Sequence, residues 1–385
     1  MGTAMRKRTK HRQRILTWWQ FQLNIVVPTR KKLDRRTSLG SSNTDESAHK
    51  ATIRSHCLAY VSTLYPSALT IRAVDLQGGC SFTVKIQHGR ERDGSSETML
   101  QFRNARFALD MRFVQRVQSL HGLLVPETKR VGHIALSGGS REVYEMTVVP
   151  GIRFDSVRPL QRDLDEQSAA RIKTLLDGMA AYFASSFMTA DTDATTSQGK
   201  CSGRIGATLL ERLTKLSLDL PADELRSIAR STLDDVQQGA MQCLPVVLTH
   251  GDLLPTNIFV DQDTWALTGL VDWAEAEDLP FGIGLYGVDR LLGYMDDAHQ
   301  WAWYDESGTL RKHFWSCLQE RVPALVLKES TLANAVQLAR VVGVLLWYGF
   351  AWDDGRLDPV VNKVNDRDDV AMLRAFLLVH DSLLQ

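Results

Sequence analysis

Residues 250–257 read HGDLLPTN and lie between two short apolar runs. A further apolar run, Leu267–Val271, ends directly before Asp272. Short apolar runs between turn residues predict strands, and a hairpin would bring Asp272 back to the loop that carries Asp252 and Asn257. This place then holds one carboxylate that can accept a proton, Asp252. It also holds two oxygen ligands of the kind that Mg²⁺ prefers, Asn257 and Asp272. The alternative is a capped loop between strands that carries no chemistry.

The His-Gly-Asp loop and the Asp272-Trp273 pair give the sequence a specific resemblance to a known group of enzymes. From about residue 57 to residue 385 the chain resembles the aminoglycoside phosphotransferase and choline kinase-like family, and it is most similar to the fungal phosphotransferase enzyme family. These enzymes are relatives of the protein kinases. The resemblance implies an α+β, two-lobed protein-kinase-like fold. A small N-terminal antiparallel-sheet lobe with one helix would precede a larger, mainly helical C-terminal lobe.

The resemblance also implies roles for the loop residues. Asp252 matches the catalytic base of the family, and Asn257 and Asp272 match its magnesium ligands. His250 is expected to orient the loop through hydrogen bonds, because a lone histidine is weak evidence for proton transfer.

A turn in the small lobe is the candidate for covering the nucleotide. Residues 77–83 read QGGCSFT between two predicted strands, and glycines let backbone amides approach phosphates closely. We therefore expect Gly78, Gly79, Cys80 and Ser81 to cover the nucleotide, although the protein-kinase pattern Gly-x-Gly-x-x-Gly is absent. The alternative is an ordinary hairpin turn.

Arg103 is the candidate cation for the nucleotide phosphates. It ends the run QFR in the third-strand position, where many small-molecule kinases of this group have arginine. A guanidinium can bind two phosphate oxygens at once. Asp110, on the next predicted helix, matches the acid that orients this cation. The alternative for Arg103 is a surface arginine at a strand end, in which case Lys85 is the first candidate for the phosphate-binding cation. The alternative for Asp110 is a solvated helix residue.

The run EMTVVPG at residues 145–151 resembles the hinge between the lobes, where backbone groups bind adenine. The resemblance implies that Met146, Thr147 and Val148 contact the nucleotide. A plain edge strand is the alternative.

The C-terminal region is unusually aromatic. In the implied fold the C-terminal helices wall the acceptor pocket, so these aromatic residues are candidates for enclosing an apolar or cationic acceptor. Burial in the helix core is the alternative. The residues are Trp301, Trp303, Tyr304, Trp315, Trp347, Tyr348 and Trp352. Beside them, Asp353 and Asp354 either attract an amine or end a helix in solvent.

The spacing of apolar residues predicts the remaining elements. Strands are expected on both sides of the glycine turn within 69–87, at 99–103 and at 143–149, with a polar loop at 88–97. Helices are expected at 104–120, 161–187 and 205–240, with a polar loop at 189–203.

The first 50 residues differ in charge from the rest of the chain. Residues 1–44 hold 11 lysines or arginines against one acid, so 34 basic and 44 acidic residues remain in 45–385, a net charge of −10. We therefore expect a basic, disordered N-terminal extension at 1–50. An N-lobe at 51–150 would bind the nucleotide, and a C-lobe at 151–385 would hold the catalytic loop, metal site and acceptor pocket. A mitochondrial transit peptide or a membrane-surface helix is the alternative for the extension.

The composition of the whole chain disfavours several classes of protein. Its 385 residues carry 45 basic and 45 acidic side chains, which does not suit a folded body that binds nucleic acid. Five scattered cysteines without a Cys-x-x-Cys pair argue against a disulfide framework or a zinc site and indicate a reducing compartment. A cytoplasmic location is expected, with the mitochondrion as the alternative. The sequence contains no run of 18 consecutive apolar residues, so we expect no transmembrane helix.

The residues and the resemblance together predict a phosphotransferase that uses ATP and Mg²⁺. It would move the γ-phosphoryl group to a hydroxyl of a small-molecule acceptor. One alternative is a catalytically silent, kinase-like nucleotide-binding protein. A protein kinase is disfavoured because Asp272-Trp273 stands in place of Asp-Phe-Gly. Nucleic-acid binding through the basic tail is a third alternative.

Overall fold

The protein has two lobes in the arrangement that the resemblance implies. The structure, a computed structural model, describes residues 43–75, 77–91, 94–136, 139–189, 201–326, 331–351 and 359–378. The basic segment up to residue 42 and Trp352, Asp353 and Asp354 lie outside the described residues. The expectations for them therefore stay predictions.

The N-lobe is a five-stranded antiparallel sheet in the order β1-β2-β3-β5-β4. Its elements are α1 (Asn43–Leu64), β1 (Thr70–Ala73), β2 (Ser81–Glu91), β3 (Gly94–Asn104), α2 (Met111–His121), β4 (Thr128–Ile134) and β5 (Arg141–Thr147). The polar loop expected at 88–97 is instead the end of the β2–β3 hairpin, where the ladder continues to a pair between Glu91 and Gly94. A hairpin that extends past the core no longer needs the apolar alternation from which the strands were predicted.

Helix α1 is an N-lobe element that the sequence did not predict. It begins at Asn43, inside the expected extension, and gives the lobe a second helix. Cys57 and Val61 from α1 are fully buried against Val84 of β2 and Phe102 of β3. The lobe therefore closes its sheet with a helix whose apolar stripe is too narrow to stand out in the sequence.

Helix α2 is shorter than the segment expected at 104–120. A 3₁₀ turn at Ala105–Phe107 is followed by extended residues, and the helix starts at Met111. Asp110 is its N-cap, because the Asp110 carboxylate accepts the backbone N–H of Arg112 at 3.0 Å. Aspartate is a strong N-cap residue, so this position ends the extended segment rather than continuing a helix.

The segment after β5 connects the lobes, as expected of a hinge. Strand β6 (Ile152–Arg153) pairs with a strand of the C-lobe. The carbonyl of Pro150 accepts a hydrogen bond from the Thr268 hydroxyl at 2.7 Å. Gly151 has φ +91°, and a Cβ there would lie 2.3 Å from the Val260 carbonyl oxygen. The crossing point therefore requires glycine.

The C-lobe is mainly helical, with short strands around the HGDLLPTN loop. Its elements after β6 are α3 (Glu166–Met188), α4 (Gly203–Ala207), α5 (Leu209–Asp219), α6 (Asp223–Gln237), β7 (Val246–Thr249), β8 (Ile258–Val260), β9 (Leu267–Leu270), β10 (Glu277–Pro280), α7 (Tyr286–Asp289), β11 (Gly293–Met295), β12 (Trp301–Trp303), α8 (Ser307–Arg321), α9 (Thr331–Tyr348) and α10 (Arg367–Leu378). The helix expected at 205–240 is divided into three. One break falls at Pro221, whose ring removes a backbone donor.

Most of the described aromatic residues of the C-terminal region belong to the core. Trp301, Tyr304, Trp315, Trp347 and Tyr348 are all buried. Helix α9 is long and apolar enough to cross a membrane by length and composition, but 67% of it is buried inside the protein, as in a core helix. The structure thus favours the core alternative for these side chains, and a role in enclosing an acceptor stays a prediction.

Candidate active site

The HGDLLPTN loop leaves strand β7 at a point where only glycine fits. Gly251 has φ +74°, and a Cβ there would lie 1.9 Å from the backbone oxygen of Glu275. The loop can therefore approach the segment after Asp272 more closely than any other residue would allow.

His250 fixes the loop through both ring nitrogens. Its Nδ1 accepts the backbone N–H of Asp252 at 3.2 Å, so Nε2 carries the proton and donates it to the Val271 carbonyl at 3.0 Å. The ring also lies against Trp273, with 4.2 Å between ring centroids. Burial lowers the pKa of His250 to about 4, which keeps the imidazole neutral. This geometry suits the orienting role expected of His250.

Asn257 fixes the carboxylate of Asp252 through hydrogen bonds from its side-chain amide. Its amide Nδ2 donates to the Asp252 backbone oxygen at 2.8 Å and to Asp252 Oδ2 at 3.0 Å. Because both bonds use the amide nitrogen, the oxygen Oδ1 of Asn257 is the atom that can bind a metal. The 3₁₀ turn Pro255–Asn257 sets the spacing of five residues between the two side chains.

Asp272 completes the group from the end of the β8–β9 hairpin. The backbone N–H of Val271 donates to the Asn257 carbonyl at 3.0 Å, which fixes Asp272 beside the loop. Asp272 itself is left-handed, with φ 63° and ψ 59°. Non-glycine residues in this region are uncommon and store strain at sites where a side chain must point in one direction.

Arg103 reaches Asp272 across the two lobes. Its guanidinium Nη1 lies 3.5 Å from Asp272 Oδ1, and the side chain is 4% exposed. Within the N-lobe, Nε donates to the Phe107 carbonyl at 2.8 Å and Nη1 donates to Gln101 Oε1 at 3.1 Å. The predicted phosphate-binding cation therefore lies beside a predicted metal ligand, and Gln101 and the turn at Ala105–Phe107 position it.

The prediction that Asp110 orients Arg103 is wrong. The Asp110 carboxylate caps α2 and pairs with the guanidinium of Arg112 at 2.6 Å. The hydrogen bonds from Arg112 hold the pKa of Asp110 below its ordinary value. The Phe107 carbonyl, Gln101 and Asp272 contact Arg103 in place of the expected helix acid.

The glycine turn lies at the same end of the sheet as Arg103. Ser81 pairs with Arg103 in the β2–β3 ladder, so Gly78, Gly79 and Cys80 extend from that end. Gln77 fixes the base of the turn, because its side chain donates to the Val74 and Thr83 carbonyls and accepts the Thr83 N–H. The alternative cation Lys85 is partly exposed and pairs with Glu97 at 2.7 Å.

The predicted adenine contacts lie at the hinge, but the strand ladder already uses part of their backbone. Met146 pairs with Met99 on one side and Thr128 on the other. The Thr147 N–H donates to the Glu127 carbonyl at 3.0 Å. Val148 is the first of the three beyond strand β5, and adenine binding by these residues stays a prediction.

Two further contacts between the lobes had no signal in the sequence. His121, at the end of α2, stacks on Trp273 with 5.7 Å between centroids, and Ser185 bonds its Nδ1 at 3.2 Å. Arg116 of α2 binds both carboxylate oxygens of Asp278 at 2.8 and 2.9 Å. Both join α2 to the segment that follows Asp272. The sequence indicates only that these two residues lie on neighbouring turns of the amphipathic helix α2, and it does not indicate their partners.

A comparison with family models identifies the family of the chain. The model of the phosphotransferase enzyme family matches residues 72–281, which is more than half of the chain and includes Arg103, Asp252 and Asp272. The chain belongs to the phosphotransferase enzyme family. The matched segment begins within β1 and ends one residue after β10.

Solved structures of the same fold support the two-lobed, protein-kinase-like architecture. The GDP complex of wild-type aminoglycoside 2'-phosphotransferase-IIIa is 14% identical, with a TM-score of 0.50, and the match covers 76% of this chain and 90% of that one. Macrolide 2'-phosphotransferase type I is 13% identical, with a TM-score of 0.51, and the match covers 88% and 98% of the two chains. At these identities the likeness shows the fold.

Curated relatives match shorter segments. Methionine–tRNA ligase of Chlorobium phaeovibrioides is 28% identical over 131 residues, which cover 31% of this chain and 18% of the ligase. The uncharacterised protein YcbJ of Bacillus subtilis is 30% identical over 94 residues, which cover 24% of this chain and 28% of YcbJ. The chain thus spans less than a third of the length of these relatives.

The different surroundings of Asp110 and Arg103 lead to a testable contrast in this family member. Asp110→Ala should lower the free energy of unfolding by about 1 kcal/mol, the usual cost of a lost N-cap, and leave ATP affinity unchanged. Arg103→Lys should weaken ATP binding about tenfold or more, because an ammonium cannot reproduce the guanidinium fork. Denaturant titration and calorimetry measure the two effects. An Asp110→Ala variant that loses ATP affinity as Arg103→Lys does would contradict this assignment.

The buried histidines predict acid sensitivity. Burial lowers the pKa of both His121 and His250 to about 4, against an ordinary value near 6.5. Between pH 6.5 and pH 4 the unfolded chain therefore binds more protons than the folded one, so the free energy of unfolding falls as pH falls through this window. The loss is on the order of 3 kcal/mol for each histidine.

Replacing His121 tests this acid sensitivity. His121→Phe keeps a ring against Trp273 and should reduce the loss of unfolding free energy between pH 7 and pH 5, measured by denaturant titration at each pH. His56→Gln, at an exposed position of α1, is the matched control and should keep the full loss. An unchanged pH dependence in His121→Phe would show that this histidine does not contribute.

Proposed function

We propose that this protein is a kinase that uses ATP and Mg²⁺ to phosphorylate a hydroxyl of a small-molecule acceptor. The observation that carries the proposal is the convergence of Asp252, Asn257, Asp272 and Arg103 on one place between the lobes. Membership of the phosphotransferase enzyme family supports it.

The side chains at this place suit magnesium and a triphosphate. Asn257 Oδ1 and the Asp272 carboxylate are hard oxygen donors of the kind that Mg²⁺ takes in phosphoryl-transfer sites. Arg103 adds a buried fork of N–H donors beside them, which suits phosphate oxygens. A bound Mg²⁺ neutralises phosphate charge and thereby eases transfer of the γ-phosphoryl group.

Asp252 is the residue that acts on the acceptor. Asn257 holds Oδ2 of its carboxylate in place, and we assign this carboxylate as the group that takes the proton of the acceptor hydroxyl. The bonds of His250 to the Asp252 N–H and to the Val271 carbonyl fix the backbone beneath that carboxylate. The rigid loop then orients the attacking oxygen, and Asp252 accepts the proton.

The segment after Asp272 favours a small acceptor over a protein. It enters strand β10 at Glu277, pairs with β7 and is then buried at Phe281. Within the described part of the chain, these residues offer no exposed loop on which a peptide could lie. The expectation of a small-molecule acceptor rests on this burial and on the family.

Substitution of the two carboxylates tests the proposal. The full chain is incubated with Mg²⁺ and ATP and a panel of hydroxylated sugars, amines, acids and indoles, and mass spectrometry detects an added phosphate. Asp252→Asn should keep ATP binding and lower turnover at least about a hundredfold. Asp272→Ala should weaken ATP binding in the presence of Mg²⁺ and leave metal-free binding unchanged.

Asp305→Ala, at an exposed position of the C-lobe, is the matched control and should keep full turnover and binding. Magnesium-dependent ATP binding without phosphorylation of any acceptor by the unsubstituted protein would support the silent-kinase alternative. Equal turnover by Asp252→Asn and the unsubstituted chain would rule out Asp252 as the base.

A further inference from the structure

The C-lobe buries several arginines. Arg158, Arg290 and Arg311 are each 7–8% exposed, and Arg340 is nearly as buried. Asp289 is the acid at their centre: Arg340 binds its Oδ2 at 2.7 and 2.8 Å, and Arg311 lies 3.8 Å from its Oδ1. Asp289 therefore pairs with two of these four guanidiniums, those of Arg340 and Arg311.

Arg290 and Arg158 have no carboxylate of their own within ion-pair distance among the described residues. Arg290 lies over the ring of Trp301 at 5.4 Å, and its Nη1 donates to Met372 Sδ, which are both neutral partners. The Nε of Arg290 and the Nη1 of Arg158 are buried without a hydrogen-bond partner. Buried charges are normally paired, so two arginines left in this state call for a missing anion.

Both arginines belong to segments that flank the catalytic loop. The Leu253 N–H, next to Asp252, donates to the Tyr286 hydroxyl at 3.0 Å, and Tyr286 begins the short helix α7 that leads into Arg290. On the other side, the turn Phe154–Ser156 packs against Pro255–Asn257, and Arg158 lies two residues after that turn, with its N–H donating to the Phe154 carbonyl at 2.9 Å. The segments that carry Arg290 and Arg158 thus both contact the loop that carries Asp252.

The two guanidiniums also influence each other. Burial, and then the positive charge of Arg290, lower the pKa of Arg158 to about 10. The Tyr304 hydroxyl, which also faces Arg158, donates to the Pro159 carbonyl at 2.8 Å, and the partly buried Asp155 pairs with Arg153 at 3.2 Å. Arg158 and Arg290 therefore repel each other, and the nearby acid Asp155, which offsets part of this effect on the pKa of Arg158, lies within ion-pair distance of Arg153 and not of Arg158.

We propose that Arg158 and Arg290 bind an anionic group of the acceptor, so that the acceptor is a hydroxylated carboxylate or phosphate compound. The inference rests on the proposed function, because it assigns the acceptor of that same site. Guanidiniums recognise carboxylates and phosphates through paired N–H bonds, and their strength is greatest where water is excluded. An acceptor rich in amines is repelled by the same two side chains.

The stability of the ligand-free protein gives the first test. Arg290→Met keeps the contacts with Trp301 and Met372 and removes an unpaired buried charge, so the thermal midpoint should rise by a few degrees. Arg162→Met, which removes an exposed arginine paired with Asp305, is the matched control and should change the midpoint by less than about one degree. A clear fall of the midpoint in Arg290→Met would assign Arg290 a structural role and overturn the inference.

Inorganic anions give the second test with the full chain. Sodium sulfate and sodium acetate, each compared with sodium chloride at equal ionic strength, represent the phosphate and carboxylate sources of the charge. One of these two salts should raise the thermal midpoint of the unsubstituted protein and of Arg162→Met to a saturating value. This rise should be absent in Arg290→Met and in Arg158→Met. Equal responses of all four proteins would be a general salt effect and would overturn the inference.

The two proposals fail in different ways. Turnover with neutral or amine acceptors, combined with no specific anion effect, overturns the anionic acceptor and leaves the kinase. A specific anion effect in a protein that binds no ATP with Mg²⁺ keeps the anion site and overturns the kinase.

Discussion

The site depends on one imidazole. His250 accepts the N–H of Asp252 and donates to the carbonyl of Val271, and so it joins the loop that carries the base to the strand end that carries Asp272. Because the ring is buried and neutral, each nitrogen can serve only one of these two bonds. Gly251 makes the joint possible, since any side chain there would collide with the backbone of Glu275. The spacing of the motif is thus a consequence of a hydrogen-bonded turn that tolerates few substitutions.

The lobes meet at this same turn. Arg103 contacts Asp272 from the sheet, and His121 and Arg116 contact Trp273 and Asp278 from α2. Three contacts from the N-lobe therefore fall on the short segment that follows β9. A change in the position of α2 should be felt beside Asp272, because the buried contact of His121 with Trp273 transmits displacement rather than absorbs it.

The sequence carried enough information for the parts of the fold that local rules determine. The His-Gly-Asp loop, the hairpin to Asp272 and the place of Arg103 beside the glycine turn follow from strand patterns and motif spacing. Asp110 was assigned wrongly because its fate depends on where α2 starts, and an aspartate that caps a helix looks in sequence like one that faces a strand. Helix α1 was missed because its polar composition hides a narrow buried stripe.

The buried arginines of the C-lobe could not be foreseen at all. Their burial results from packing between separate elements of the lobe, such as Arg290 against Met372, and an arginine in a sequence is a surface residue by default. The same holds for the cross-lobe contacts of His121 and Arg116.

The most direct test of the account is a crystal structure of the full chain with Mg²⁺ and a non-hydrolysable ATP analogue. The account predicts a metal bound at about 2.1 Å by Asn257 Oδ1 and by the Asp272 carboxylate, with Arg103 on the phosphates and the Asp252 carboxylate outside the metal's coordination sphere. A nucleotide bound away from Arg103, or a metal held by Asp252 in place of Asn257 and Asp272, would contradict it.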